Sequence, residues 1–184
     1  MKKIVLGFVL CMLSIVGAQA QVGQQFPVLE GETAEGEAMV LPESVEGKYT
    51  LLGLAFSKKS DDALKTWFQP VYSQFIRKPS SEGLFADFGY DVNVYFVPMF
   101  TGVNKVAAGP ARKKTLKNVD AELHPHILFY VGELATYRDQ LGLKEKDEPY
   151  FFVLDKEGKI VYATSGAYTR KKMEQVENIL SKEE

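Results

Sequence analysis

Residues 50–75, TLLGLAFSKKSDDALKTWFQPVYSQF, read as a strand, a short loop and a helix, and the rest of the chain can be placed around that unit. Thr50 to Phe56 is an apolar run of strand length, the pattern of a strand buried on both faces. Ser57 to Ser60 is a polar break. Ser60 is expected to be the N-cap, with Asp61 and Asp62 in the first turn, where carboxylates suit the positive end of the helix dipole. Leu64, Trp67, Phe68, Val71, Tyr72 and Phe75 then recur at intervals of three and four, one broad apolar stripe to lay on a sheet. Pro70 is expected to kink that helix.

A buried strand running into a polar loop, a helix start and a proline-kinked helix resembles the thioredoxin-like proteins, which carry a Cys-x-x-Cys pair at the loop. Here that place holds Ser57-Lys58-Lys59-Ser60 when read from the strand end, or falls nearer Asp62 and Lys65 when counted back from Pro70. Neither register contains a cysteine. A hydroxyl cannot replace the thiol, because exchange needs a sulfur whose pKa the helix terminus can pull down from about 8.5. The chain is therefore expected neither to reduce disulfides nor to consume peroxide by thiol chemistry.

The first twenty residues combine Lys2 and Lys3, an apolar stretch from Ile4 to Gly17, and Ala18-Gln19-Ala20, the three-part pattern of a secretory signal cut after Ala20. The rival reading is a transmembrane anchor, but the apolar stretch is shorter than the roughly 20 residues a span needs and lacks a basic stop. Cys11, the only cysteine, lies inside it, and Phe8-Val9-Leu10 are too large for a lipoprotein anchor site. The expected product is a periplasmic or secreted chain, residues 21–184, with no cysteine, held by one well-filled core. Without Lys2 and Lys3 the 22 basic residues fall to 20 against 24 acidic ones, a net charge of −4 that argues against a nucleic-acid partner.

Phe26 to Leu29 and Met39 to Leu41 read as the strands of a hairpin around a polar stretch with Gly31 and Gly36. With Gly47-Lys48 before the strand, residues 22–56 resemble the opening of the peroxiredoxin and extracytoplasmic thiol-disulfide oxidoreductase branch. Arg77 to Asp91 reads as a connecting loop with Phe85 and Phe88 as a possible anchor, and Val92 to Val97 as a strand closed by Pro98. Gly109-Pro110 opens a short helix to Val119 whose Arg112, Lys113, Lys114 and Lys117, with Lys105, form the most basic patch. It is either a solvated face or a docking site for an acidic partner or anionic lipid.

His124-Pro125-His126 precedes a strand at Ile127 to Val131. Two histidines fall short of the three or four ligands a metal needs, so surface imidazoles at a strand entry are the expected reading, with no metal and no cofactor. Glu133 to Leu143 looks helical, stopped by Gly142. Tyr150 to Leu154, the turn Asp155-Lys156-Glu157-Gly158, Lys159 to Thr164, and a helix capped by Thr169 or Ser165 and buried through Met173, Val176, Ile179 and Leu180 complete the chain. That order resembles the back half of the same oxidoreductase branch and implies that Pro149 is its cis-proline. The fold implied is a thioredoxin-like three-layer α/β/α sandwich with a central mixed sheet and an N-terminal β-hairpin.

Residues 127–143 and 149–180 also resemble the mitochondrial assembly factors for the membrane sector of ATP synthase, which share a thioredoxin-like core. The match rests on Leu154-Asp155, Lys159-Ile160-Val161 and Ser165-Gly166, with Phe56-Ser57 and Trp67 earlier. The chain departs from them in its export signal and in Tyr162, where a tryptophan is expected. The resemblance implies a cysteine-free module that binds a client protein, with peripheral contact to a membrane or a membrane-protein client. The candidate groove is Ser57, Lys58, Lys59 and Ser60 beside Glu148, Pro149 and Tyr150. There the free N–H groups of the helix start would favour an anion and the proline loop would offer an edge for strand pairing. The alternative is an enzyme of non-cysteine chemistry, with Ser57 or Ser60 as nucleophile and His124 or His126 as base.

Overall fold

The computed structural model describes residues 21–77 and 90–181. The export segment with Cys11, and Phe85 and Phe88 of the long loop, lie outside the described residues.

Seven strands form one mixed sheet: β1 (Leu29–Thr33), β2 (Ala38–Leu41), β3 (Tyr49–Ala55), β4 (Val92–Thr101), β5 (Leu128–Gly132), β6 (Tyr150–Leu154) and β7 (Ile160–Ser165), in the order β2-β1-β5-β4-β3-β6-β7. β3, β4 and β5 run parallel, and the other neighbours pair antiparallel. The helices are α1 (Lys58–Leu64), α2 (Phe68–Val71), α3 (Ala108–Asn118), α4 (Ala135–Leu141) and α5 (Arg170–Leu180).

β3 is the buried strand that its apolar run predicts. Leu51 and Ala55 pack on one face with Leu64, Trp67, Val71, Met173 and Val176, so α1, α2 and α5 cover that side. Leu52 and Leu54 pack on the other with Phe26, Phe152, Tyr137 and Leu141, which puts α4 there and makes three layers. Gly53 lets α1 come close. A Cβ at that position would lie 2.7 Å from the Phe151 ring and 2.8 Å from Leu64. Trp67 is fully buried, stacks on Phe151 at 4.0 Å between centroids, and donates its indole N–H to the Gly166 carbonyl at 3.1 Å. Three residues C-terminal to it stands Pro70, which has no N–H for the Thr66 carbonyl, and the α-helix breaks there into a 3-10 turn at Lys65–Trp67.

The hairpin forms, but its first strand is Leu29–Thr33 rather than Phe26 to Leu29. Pro27 has no N–H for a ladder, and Phe26 instead plugs the core, its N–H bonded to the Gly158 carbonyl. β1 also pairs with β5, so the hairpin extends the central sheet. Pro98 does not close β4, which continues to Thr101. Proline is tolerated because Ala55↔Pro98 is the last rung of the β3–β4 ladder, and past it β4 pairs only with β5. The C-terminal half follows its sequence signals closely. Gly142 ends α4 with φ +60°, the Asp155 carboxylate accepts the N–H groups of Glu157 and Lys159 in the turn, and Thr169 caps α5.

Candidate functional site: a serine-capped helix start beside an apolar cleft

Ser57, not Ser60, is the N-cap of α1. Its extended backbone (φ −141°, ψ 165°) turns the Oγ back to accept the Ser60 N–H at 3.1 Å. Ser60 sits three residues into the cap, fully buried, and its Oγ accepts the N–H groups of Phe56 at 3.0 Å and Ser57 at 2.8 Å while donating to the Ser57 carbonyl at 3.0 Å. The two hydroxyl oxygens are 3.2 Å apart. The serines therefore form a reciprocal capping box that satisfies the helix start from within. Of the N–H groups at the helix start, those of Ser57 and Ser60 are taken by this box.

β3–β6 pairing sets Leu54 opposite Tyr150, and the Tyr150 ring stacks on Phe56 at 6.2 Å. The link between the two loops is Asp147, which the sequence reading passed over in its run of charged residues. It accepts from Ser57 Oγ at 3.4 Å and pairs with the Lys59 ammonium at 3.1 Å. Glu148 turns the other way, accepting from Ser165 Oγ at 2.8 Å. The Glu148–Pro149 bond is not cis, a correction to the expected cis-proline; among the described residues the cis X-Pro bond is Leu41–Pro42. The chain runs extended into β6, and the Pro149 carbonyl meets the Gly166 N–H at 2.9 Å. Of the predicted groove, Ser57, Lys59 and Tyr150 come together, Ser60 is internal, and Glu148 and Pro149 face β7.

The histidines do not serve the serines. His124 is buried, not a surface imidazole, with Nε2 3.0 Å from the Val119 carbonyl, and Nδ1 of His126 lies 2.9 Å from the Val94 carbonyl. Both rings tie backbone segments together, and among the described residues neither bonds to Ser57 or Ser60. Nor do the described residues contain a group of three or more His, Cys, Asp or Glu side chains that could hold a metal ion.

The cleft next to the serine cap was not legible in the sequence. It is a cleft of about 840 Å³ beyond the carboxyl ends of β3 and β4, between α1–α2 and α3. Pro98, Phe100, Ile127 and Phe129 form its floor, with the Phe100 and Phe129 rings stacked at 6.0 Å, and Lys58, Lys65 and Lys114 stand at its edge. The Lys65 ammonium pairs with Asp61 and Asp62 and holds the Asp62 carboxyl below the usual range, with smaller help from Lys58 and Lys114. Two features make the space. β3 stops at Ala55 while β4 runs on to Thr101, and α3 has no fully buried side chain and rests on the sheet through half-buried Ala111, Arg112, Thr115 and neighbouring Val119. Arg112 fastens α3 by donating Nε–H to the Ala34 carbonyl at 2.8 Å and pairing with Glu32 at 2.6 Å. Lys105 pairs with Glu133. The basic patch thus loses two members to internal contacts.

Comparison with known proteins joins these observations. The model of the ATP10 protein family matches residues 18–182. The chain belongs to the ATP10 protein family. Its match covers the serine cap, the cleft and the C-terminal sheet together. No curated protein matches the chain in sequence. Among solved structures it is similar to a protein described as the thiol:disulfide interchange protein DsbE of Chlorobium tepidum, at 14% identity and TM-score 0.54 over 87% of this chain and 96% of that one. A Bacteroides thetaiotaomicron structure described as a protein disulfide isomerase gives 14% and 0.54 over 90% and 93%. Yeast Sco1 gives 16% and 0.51 over 89% and 97%. Such likenesses show the fold, which is thioredoxin-like, and the ATP10-family assignment adds an assembly-factor relationship. In this ATP10-family chain, oxygen stands at both ends of the S-x-x-S loop at the helix start.

Proposed function

We propose that this ATP10-family protein is an exported, non-catalytic assembly factor that holds an extended segment of a client protein in the cleft beside the serine cap. The observation that carries the reading is the overhang of β4. From Met99 to Thr101 its flank on the β3 side has no strand beside it among the described residues, and that flank lines the apolar cleft. A client strand entering the lane that β3 leaves at Ala55 gains main-chain pairing from β4 and places alternate side chains on Phe100 and Phe129. A volume of about 840 Å³ lies within the usual range for ligand sites. Ser57 and Lys58 stand at the mouth.

Residues 21–184 contain no cysteine, so one introduced thiol is a unique handle. Lys58→Cys and Asn104→Cys place it at the cleft, and Lys156→Cys places it elsewhere. Each variant, carrying a photo-crosslinker, is produced in cells that export it, and the envelope fraction is irradiated. A single crosslinked protein from both cleft positions, absent from Lys156→Cys and lost from Asn104→Cys when Lys58→Glu and Lys114→Glu are added to it, is the expected result. No product, or equal labelling from all three positions, overturns the reading.

A further inference from the structure

Next to the cleft, the 3-10 segment Gly102–Ala107 joins β4 to α3 and carries the two most exposed large apolar side chains among the described residues, Val103 at 90% and Val106 at 86%. In a 3-10 helix residues i and i+3 eclipse, so the two valines stand in one row. Val131, half exposed at the end of β5 where Thr101 pairs with Gly132, lies at the same end of the sheet. Leu116 is exposed on α3.

The helix continues that row. Its half-buried side is Ala108, Ala111, Arg112 and Thr115, spaced at three and four, so the opposite stripe runs from Val106 through Pro110 to Lys113 and Lys117. α3 has no acidic residue, and Lys113, Lys114 and Lys117 have no carboxylate within ion-pair distance among the described residues. The nearby carboxylates of Glu133 and Glu32 are occupied by Lys105 and Arg112. A local cationic stripe on a chain whose residues 21–184 carry a net −4 selects an anionic occupant.

We propose that this valine tip and lysine stripe form a peripheral contact surface for a bilayer containing anionic lipid. The chemistry favours lipid over a folded partner. Protein interfaces concentrate aromatic residues and Arg and are depleted in Lys, whereas this surface offers Val, Leu and Lys on a protruding tip. Lysines can lay their stems along the interface with the ammonium at the headgroups while the valines enter the acyl boundary. The contact is superficial, since none of the described helices is long and apolar enough to cross a membrane. This inference stands apart from the client reading, because it uses the outer stripe of α3 and not the cleft.

The test is co-sedimentation of residues 21–184, which hold every described element, with phosphatidylcholine–phosphatidylglycerol vesicles and with phosphatidylcholine vesicles. Binding is expected on the anionic vesicles and is expected to weaken with salt. Lys113→Gln with Lys117→Gln should weaken it roughly 25-fold, from about 1 kcal/mol per lysine near an anionic surface. Val103→Ser with Val106→Ser should weaken it roughly tenfold. All four sites are exposed, so melting temperatures should match wild type, and Val106→Trp should show a blue-shifted emission on anionic vesicles only. Wild-type protein that stays in solution, equal binding to both vesicle types, or either double variant at wild-type affinity overturns the proposal. So does sedimentation equilibrium showing a dimer that the valine pair abolishes, which would make the tip a contact between copies.

Discussion

Removing the Ser60 hydroxyl should destabilise the protein more than removing that of Ser57, although Ser57 is the helix cap. In Ser60→Ala the Phe56 and Ser57 N–H groups lose their acceptor at a site with no solvent exposure. An orphaned buried donor costs about 1–3 kcal/mol. Phe56 N–H is buried and should carry the full penalty, while Ser57 N–H is partly reached by water, giving about 2–4 kcal/mol in all. Ser57→Ala frees the Ser60 N–H and removes a long, exposed bond to Asp147, and a lost N-cap typically costs about 1 kcal/mol. Equilibrium urea unfolding of residues 21–184, followed by Trp67 fluorescence and far-ultraviolet dichroism, measures both. If Ser60→Ala unfolds within about 0.5 kcal/mol of wild type, or if Ser57→Ala is the more damaging, the hydroxyl is not the acceptor that holds the loop.

Trp67→Phe keeps most of the stacking on Phe151 but strips the donor from the Gly166 carbonyl, so a loss of about 1–2 kcal/mol in urea unfolding followed by far-ultraviolet dichroism alone is expected. Arg112→Ala should raise hydrogen exchange throughout α3 while leaving β3 and β6 protected, and Arg112→Lys should fail to restore it, because one ammonium cannot span the Ala34 carbonyl and Glu32. Unchanged protection in α3 would contradict the fastening role. In alkali, burial raises the phenols of Tyr95, Tyr137, Tyr150 and Tyr162 above their ordinary value. The unfolded chain then releases protons first, so stability is full below pH ~10 and falls as pH climbs through the raised values. Absorbance titration of tyrosinate should show these phenols ionising late and together with unfolding; ionisation at an ordinary pKa in the folded state would contradict it.

The parts of the fold that were readable are those whose signal is local. β3 and β6 are apolar runs of strand length, the turn after β6 needs an aspartate and a glycine at fixed offsets, and α4 stops at Gly142. What was missed depends on partners distant in sequence. Pro98 reads as a terminator until one sees that β3 has already ended beside it. Phe26 reads as strand until Gly158 takes its N–H. The S-x-x-S of the cap is ambiguous because either serine suits an N-cap, and only the depth of Ser60 decides between them. The cleft has no sequence signature at all, since it is the difference in length between two strands together with a helix that leaves part of the sheet uncovered. Asp147, which joins the two loops of the candidate groove, lay in the polar stretch 144–148, where any charged residue looks like solvent-facing filler.

The serine box has a further consequence for how the protein behaves in changing surroundings. A Cys-x-x-Cys loop has two covalent states, and whatever leans on it is tuned by the local oxidants and reductants. Here the same turn is closed by hydroxyls that no thiol reagent can open. The shape of the surface around Ser57 is therefore the same in oxidising and reducing media, and anything that recognises it meets one constant form.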